Sequence, residues 1–129
     1  MTLSLENLNK IYINGHWVEG SGNDEIDVIN PAREEPLGAV PAGTPADVDL
    51  AVSAARAVFA DFAASRVEDR LALLGKIEAE YINRREDLAQ AISMEMGAPI
   101  DLARGSQVAL GAAHIRSAVQ ALEHFQFEV

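Results

Sequence analysis

The sequence predicts an α+β fold, a small N-terminal antiparallel β region followed by three α-helices. Three observations predict it. Short β-branched and aromatic runs split by turn formers fill residues 10–43, a Thr-Pro-Ala-Asp helix start follows at Thr44, and from there apolar residues recur every three or four positions as far as Leu122. At 129 residues a single domain, 1–129, is expected, made of a 10–43 β-hairpin region and a 44–129 helical region. Aromatic residues are only 5% of the chain, so the core must be built from Ala, Val, Leu and Ile and should be thinly packed.

The elements follow in order. Ile11-Tyr12-Ile13 and His16-Trp17-Val18 flank Asn14-Gly15, two residues that tolerate the positive φ of a type I′ turn, so a hairpin is predicted there. A turn at Gly20-Ser21-Gly22-Asn23 precedes Ile26-Asp27-Val28-Ile29, which Asn30-Pro31 ends, and the apolar run 36–41 closes on Pro41. Thr44 can cap a helix, Pro45 suits its first position, and Asp47 favours the positive end of its dipole. Val48, Val52, Ala55, Phe59 and Phe62 then make one stripe that is expected to be buried. Ser65, with Glu68 three residues on, reads as the capping box of a second helix. That helix carries Val67, Leu71, Leu74, Ile77, Tyr81, Leu88 and Ile92, is expected to kink near Asn83, and stops after Met96 at Gly97 and Pro99. A third begins near Pro99. Gly105 and Gly111 weaken it by about 1 kcal/mol each, while Val108, Ala112, Ile115, Val119 and Leu122 keep its stripe.

Twenty acidic against ten basic residues give a net charge of −10, which repels phosphate backbones and anionic lipid; no nucleic-acid partner is expected. No run approaches the ~20 apolar residues of a membrane span, and residues 1–6 lack the basic flank and apolar stretch of a signal peptide, so no membrane association and a cytoplasmic location are expected. There is no cysteine, hence no disulfide, no thiolate metal site and no thiol nucleophile.

Several joints carry a resemblance. Tyr12-Ile13-Asn14-Gly15-His16-Trp17-Val18 resembles the "INGxW" opening of aldehyde dehydrogenases, and Val28-Ile29-Asn30-Pro31-Ala32 their "NPA" segment. The helix from Ala46 to Phe59 is similar to the family's first, and Arg70-Leu71-Ala72-Leu73-Leu74 to the start of its second. Glu95-Met96-Gly97-Ala98-Pro99 resembles the "ExGKP" turn, with Ala98 where many relatives carry lysine. Five such motifs, in order and at the right intervals, cover nearly the whole chain as the amino-terminal segment of that family.

The resemblance implies a chemistry in which a cysteine attacks an aldehyde, an oxyanion hole holds the charge, hydride passes to NAD or NADP, and a glutamate activates water. It also implies that these parts lie in later segments of the family. No catalytic and no cofactor-binding residue is therefore expected here, and the chain alone is expected not to oxidise aldehydes or bind the nucleotide. Carried over position by position, a monovalent cation would take main-chain oxygens of Val28 and Ile29 and the carboxylate of Glu95, although an acid near a helix end is disfavoured by the dipole. Leu110 would stand on the wall of the aldehyde tunnel; the competing reading makes it a core leucine of the third helix.

Other routes to chemistry are weak. Ser93, Ser106 and Ser117 lie in no nucleophile-elbow motif, and His16, His114 and His124 read as structural or solvated. His114 and His124 are ten apart, roughly a right angle around a helix. The acidic runs at 23–27 and 47–49 lack calcium-loop spacing, and Gly15, Gly20 and Gly22 match no phosphate loop. Helices of the intact family pack on the cofactor domain, so the stripe 108–122 or its neighbours should be uncovered here, and the expected partners are further copies or the remainder of the parent enzyme. The alternative is a non-enzymatic short form that associates through its apolar stripes.

Overall fold

Positive φ at both Asn14 (52°) and Gly15 (80°) closes the first hairpin, as a two-residue type I′ turn requires. It joins β1 (Ile11–Ile13) to β2 (His16–Val18), antiparallel with Ile13 opposite His16. Tyr12 and Trp17, also paired, meet edge to face at 5.1 Å on the exposed side. The structure is a computed structural model that describes residues 7–127; residues 1–6, read above for a targeting signal, lie outside them.

β3 (Glu25–Asn30) and β4 (Glu35–Pro41) form a second antiparallel pair, separate from the first. Buried Asn30 builds the turn between them: its main-chain oxygen accepts from the N–H of Arg33 (3.2 Å) and Glu34 (2.8 Å), and its side-chain oxygen from the N–H of Ala32 (3.0 Å). Register slips between Val28 and Ile29, which pair with Gly38 and Pro36, so Leu37 bulges out of β4.

α1 (Pro45–Ala63) starts as predicted, with Thr44 as cap, Pro45 next, and a complete capping box. The Asp47 N–H donates to Thr44 Oγ1 (3.3 Å), and the Thr44 N–H donates to Asp47 Oδ2 (2.8 Å). Asp47 does more than favour the dipole: its other oxygen accepts the Ser21 N–H at 3.0 Å and ties down the loop before β3. The N–H of Thr44, joined by that of Ser21 and working against burial, holds its carboxyl below the usual range.

The chain divides after Ala64 into two compact units. In the second, α2 (Val67–Asn83) is capped by Arg66 without a side-chain bond, so the expected Ser65–Glu68 box does not form; Ser65 Oγ instead accepts from Arg70 Nε at 2.9 Å. The expected kink near Asn83 is a full break at Arg84, after which α3 (Arg85–Met96) begins. Gly97, at φ 71°, ends α3 in the left-handed conformation. A last helical run then comprises α4 (Ile100–Leu102), a π-helical turn (Ala103–Gln107) and α5 (Val108–His124). The order is the predicted one, short antiparallel strands and then helices, with the second helix split in two.

The core of this unit is small, as the shortage of rings implies. Ala89 and Ala103 are fully buried with Val108, and Tyr81, Leu88, Ile92 and Ile100 pack around them. Two expectations about stripes are corrected. Val108 and Ala112 are buried and Ile115, Val119 and Leu122 half-buried, because α5 packs on α2. The stripe on α1 is the uncovered one: Val48 is 58% and Phe59 70% exposed, with Val52, Ala55 and Phe62 exposed too. Among the described elements of the first unit, α1 packs mainly on the three-residue β1, too short a strand to cover it.

Candidate functional site

Val28 and Ile29 flank the register slip in the β3–β4 ladder, opposite the bulge at Leu37. They belong to the first unit; Glu95, exposed in the last turn of α3, belongs to the second. Leu110 is 55% exposed on α5, so it is not a core leucine; Val108 and Ala112 hold that place.

The serines and histidines do not pair with one another among the hydrogen bonds of the described residues. Ser93 Oγ donates to the Ala98 oxygen at 2.8 Å and its own carbonyl accepts the Gly97 N–H, so it shapes the turn after α3. His124 Nδ1 lies 2.8 Å from the Gln120 oxygen, a bond within one helix. Among the described residues no group of three or more His, Asp or Glu is placed to hold a metal ion.

A dinucleotide needs a helix N-terminus that accepts a pyrophosphate. Acidic side chains occupy the first turns of α1 to α4 instead. Asp47 stands in the first turn of α1, Glu68 and Asp69 in that of α2, Glu86 and Asp87 in that of α3, and Asp101 in that of α4. The described strands form only antiparallel pairs, without the parallel βαβ crevice. The residues present do not fit NAD or NADP.

One constellation escaped the sequence reading. Ile82, Arg85, Glu86, Arg104, Val108, Ala109, Ala112 and Arg116 line an open groove of about 420 Å³ in the second unit. Arg104 grips Glu86 with two bonds, Nε to Oε2 at 3.0 Å and Nη2 to Oε1 at 2.6 Å, and the Gln90 amide adds a third at 2.9 Å. Hydrogen bonds from Arg104 and then Gln90 pull the Glu86 carboxyl from 4.5 down to about 2. Arg116 Nε meets Glu78 Oε1 at 2.6 Å. These partners are 18 and 38 residues apart in sequence, so no local spacing rule could have paired them.

Comparison with known proteins agrees with the motifs. The model of the aldehyde dehydrogenase family matches residues 17–129. A provisionally named aldehyde dehydrogenase of Staphylococcus aureus (strain USA300) is 46% identical over 124 residues, 96% of this chain and 26% of its own length. Aldehyde dehydrogenase C of Pseudomonas syringae, solved as a cysteine-to-alanine variant with NAD+ and octanal, superposes with a TM-score of 0.95 at 44% identity, over 99% of this chain and 26% of that one. An aldehyde dehydrogenase of Bartonella henselae gives 0.90 at 39% identity, over 92% and 25%. The architecture and these likenesses define a segment of the oxidoreductase class. The chain belongs to the aldehyde dehydrogenase family, resembles its amino-terminal part, and spans about a quarter of the length of the relatives it matches.

Proposed function

We propose that this chain serves as the amino-terminal portion of an NAD(P)-dependent aldehyde dehydrogenase and does not oxidise aldehydes by itself. The observation that carries this reading is that these 129 residues, which match the family over about a quarter of its relatives' length, hold no cysteine. Covalent aldehyde oxidation needs a nucleophile that becomes a thiolate near neutral pH, and a serine without an adjacent base is no substitute. The chain's part is structural: it supplies hairpins and helices to the whole enzyme, presents Leu110 towards the aldehyde's path, and offers the main-chain oxygens of Val28 and Ile29 to a monovalent cation.

A chimera tests this role. This chain replaces the matching segment of the Pseudomonas syringae enzyme, and the product is assayed with octanal and NAD+. Retained turnover is expected; a folded, nucleotide-binding chimera without turnover would overturn the reading.

The uncovered face of α1 favours a second reading, in which copies of the chain associate through Val48, Val52 and Phe59. Whether that face is covered by further polypeptide of the enzyme or by another copy is decided by the dilution experiment described below.

A further inference from the structure

Three of the chain's ten basic residues line one groove, in a molecule whose net charge is −10. We propose that this groove binds a monocarboxylate with a short aliphatic tail. The site does not depend on the aldehyde chemistry proposed above.

Charge selects the head group. Arg104 is paired with Glu86 and Arg116 with Glu78, while Arg85, the first residue of α3, makes no ion pair among the described residues. With the exposed Asp101, whose Oδ1 lies 3.9 Å from Arg104 Nη1, three guanidinium groups meet three carboxylates, so the cluster has no charge to spare for a dianion and Arg85 is the donor left for a single carboxylate. An arginine has five N–H donors, and Glu86 takes only Nε and Nη2 of Arg104, so donors remain for a ligand. The existing ion pairs hold Arg104 and Arg116 in place before a ligand arrives, which lowers the ordering cost of binding.

Shape selects the tail. Ile82, Val108, Ala109 and Ala112 give the groove an apolar floor, and about 420 Å³ lies in the range of small-molecule sites.

The π turn brings the two halves of the site together. On an unbroken α-helix, the twelve positions from Arg104 to Arg116 would set them about 120° apart. The Val108 N–H bonds to the Ala103 oxygen, one residue beyond the α-helical partner, and that added residue cancels much of the rotation. Arg104 and Arg116 thereby line the same groove.

The test is a nuclear magnetic resonance titration of the 129-residue chain with hexanoate, hexan-1-ol and inorganic phosphate. Hexanoate is expected to bind saturably, shifting the Nε–H signals of Arg85, Arg104 and Arg116 and the amides of residues 108–112. Hexan-1-ol and phosphate should each bind at least about tenfold more weakly, the scale of one lost charge-assisted bond. Arg85→Gln should weaken hexanoate about tenfold with an unchanged circular dichroism spectrum, and Arg116→Lys, which keeps the charge but loses the fork, should weaken it as well. Absence of hexanoate binding, equal binding of the alcohol or of phosphate, or hexanoate affinity indifferent to both substitutions would overturn the proposal.

Discussion

A Cβ on Gly111 would run into the hydroxyl of Tyr81, which donates to the main-chain oxygen of Val108 at 3.0 Å. Glycine at 111 is thus what lets α5 approach α2 with that hydrogen bond intact. Gly105, in the π turn, faces open space.

The two glycines of the last helical run should therefore respond in opposite directions. Gly105→Ala should raise the unfolding free energy by up to about 1 kcal/mol through helix propensity. Gly111→Ala gains the same propensity but suffers overpacking of about 1–3 kcal/mol and strains the Tyr81 bond, so it should lower stability. Urea denaturation of both variants checks this, and equal shifts of one sign would contradict it.

The Glu86–Arg104 pair makes stability depend on acid. Its carboxyl lies at about 2 in the folded chain against an ordinary 4.5, so its contribution is fully present above pH 4.5 and is lost as pH falls from there towards about 2. Both side chains are about half exposed, which keeps the effect modest. Glu86→Gln should flatten that part of the thermal midpoint's pH profile. Parallel profiles for the two proteins would show that the pair adds nothing to folding.

The uncovered stripe of α1 predicts association. Light scattering across a dilution series should show oligomers that dissociate, and Phe59→Ser with Val52→Ser should shift the chain to monomer. Their exposure limits the loss of stability to within about 0.5 kcal/mol. An unsubstituted chain that is monomeric at every concentration would contradict association of copies and leave the face to further polypeptide of the enzyme.

Local chemistry was legible in the sequence where a few neighbouring residues decide the backbone. Asn14-Gly15 and Thr44-Pro45-Ala46-Asp47 formed the turn and cap they announce. Ser65 announced a cap just as clearly, but Arg70 engages its hydroxyl and Arg66 caps instead. Periodicity showed that α1 and α5 have apolar faces, yet it carries no information about which face finds a partner, and α1 proved the uncovered one. Leu110, placed by resemblance, is exposed where periodicity alone would have allowed a core position. The arginine groove was invisible because the π turn changes the helical phase between Arg104 and Arg116, and nothing in the spacing of the letters signals the extra residue.

The proposal that these 129 residues do not oxidise an aldehyde by themselves is put to the test by following NADH absorbance with the purified 129-residue chain, an aliphatic aldehyde and NAD+. No aldehyde-dependent NADH formation is expected, because the chain holds no cysteine and acidic side chains occupy the first turns of α1 to α4. Turnover that persists at constant specific activity through a second, orthogonal purification would contradict it.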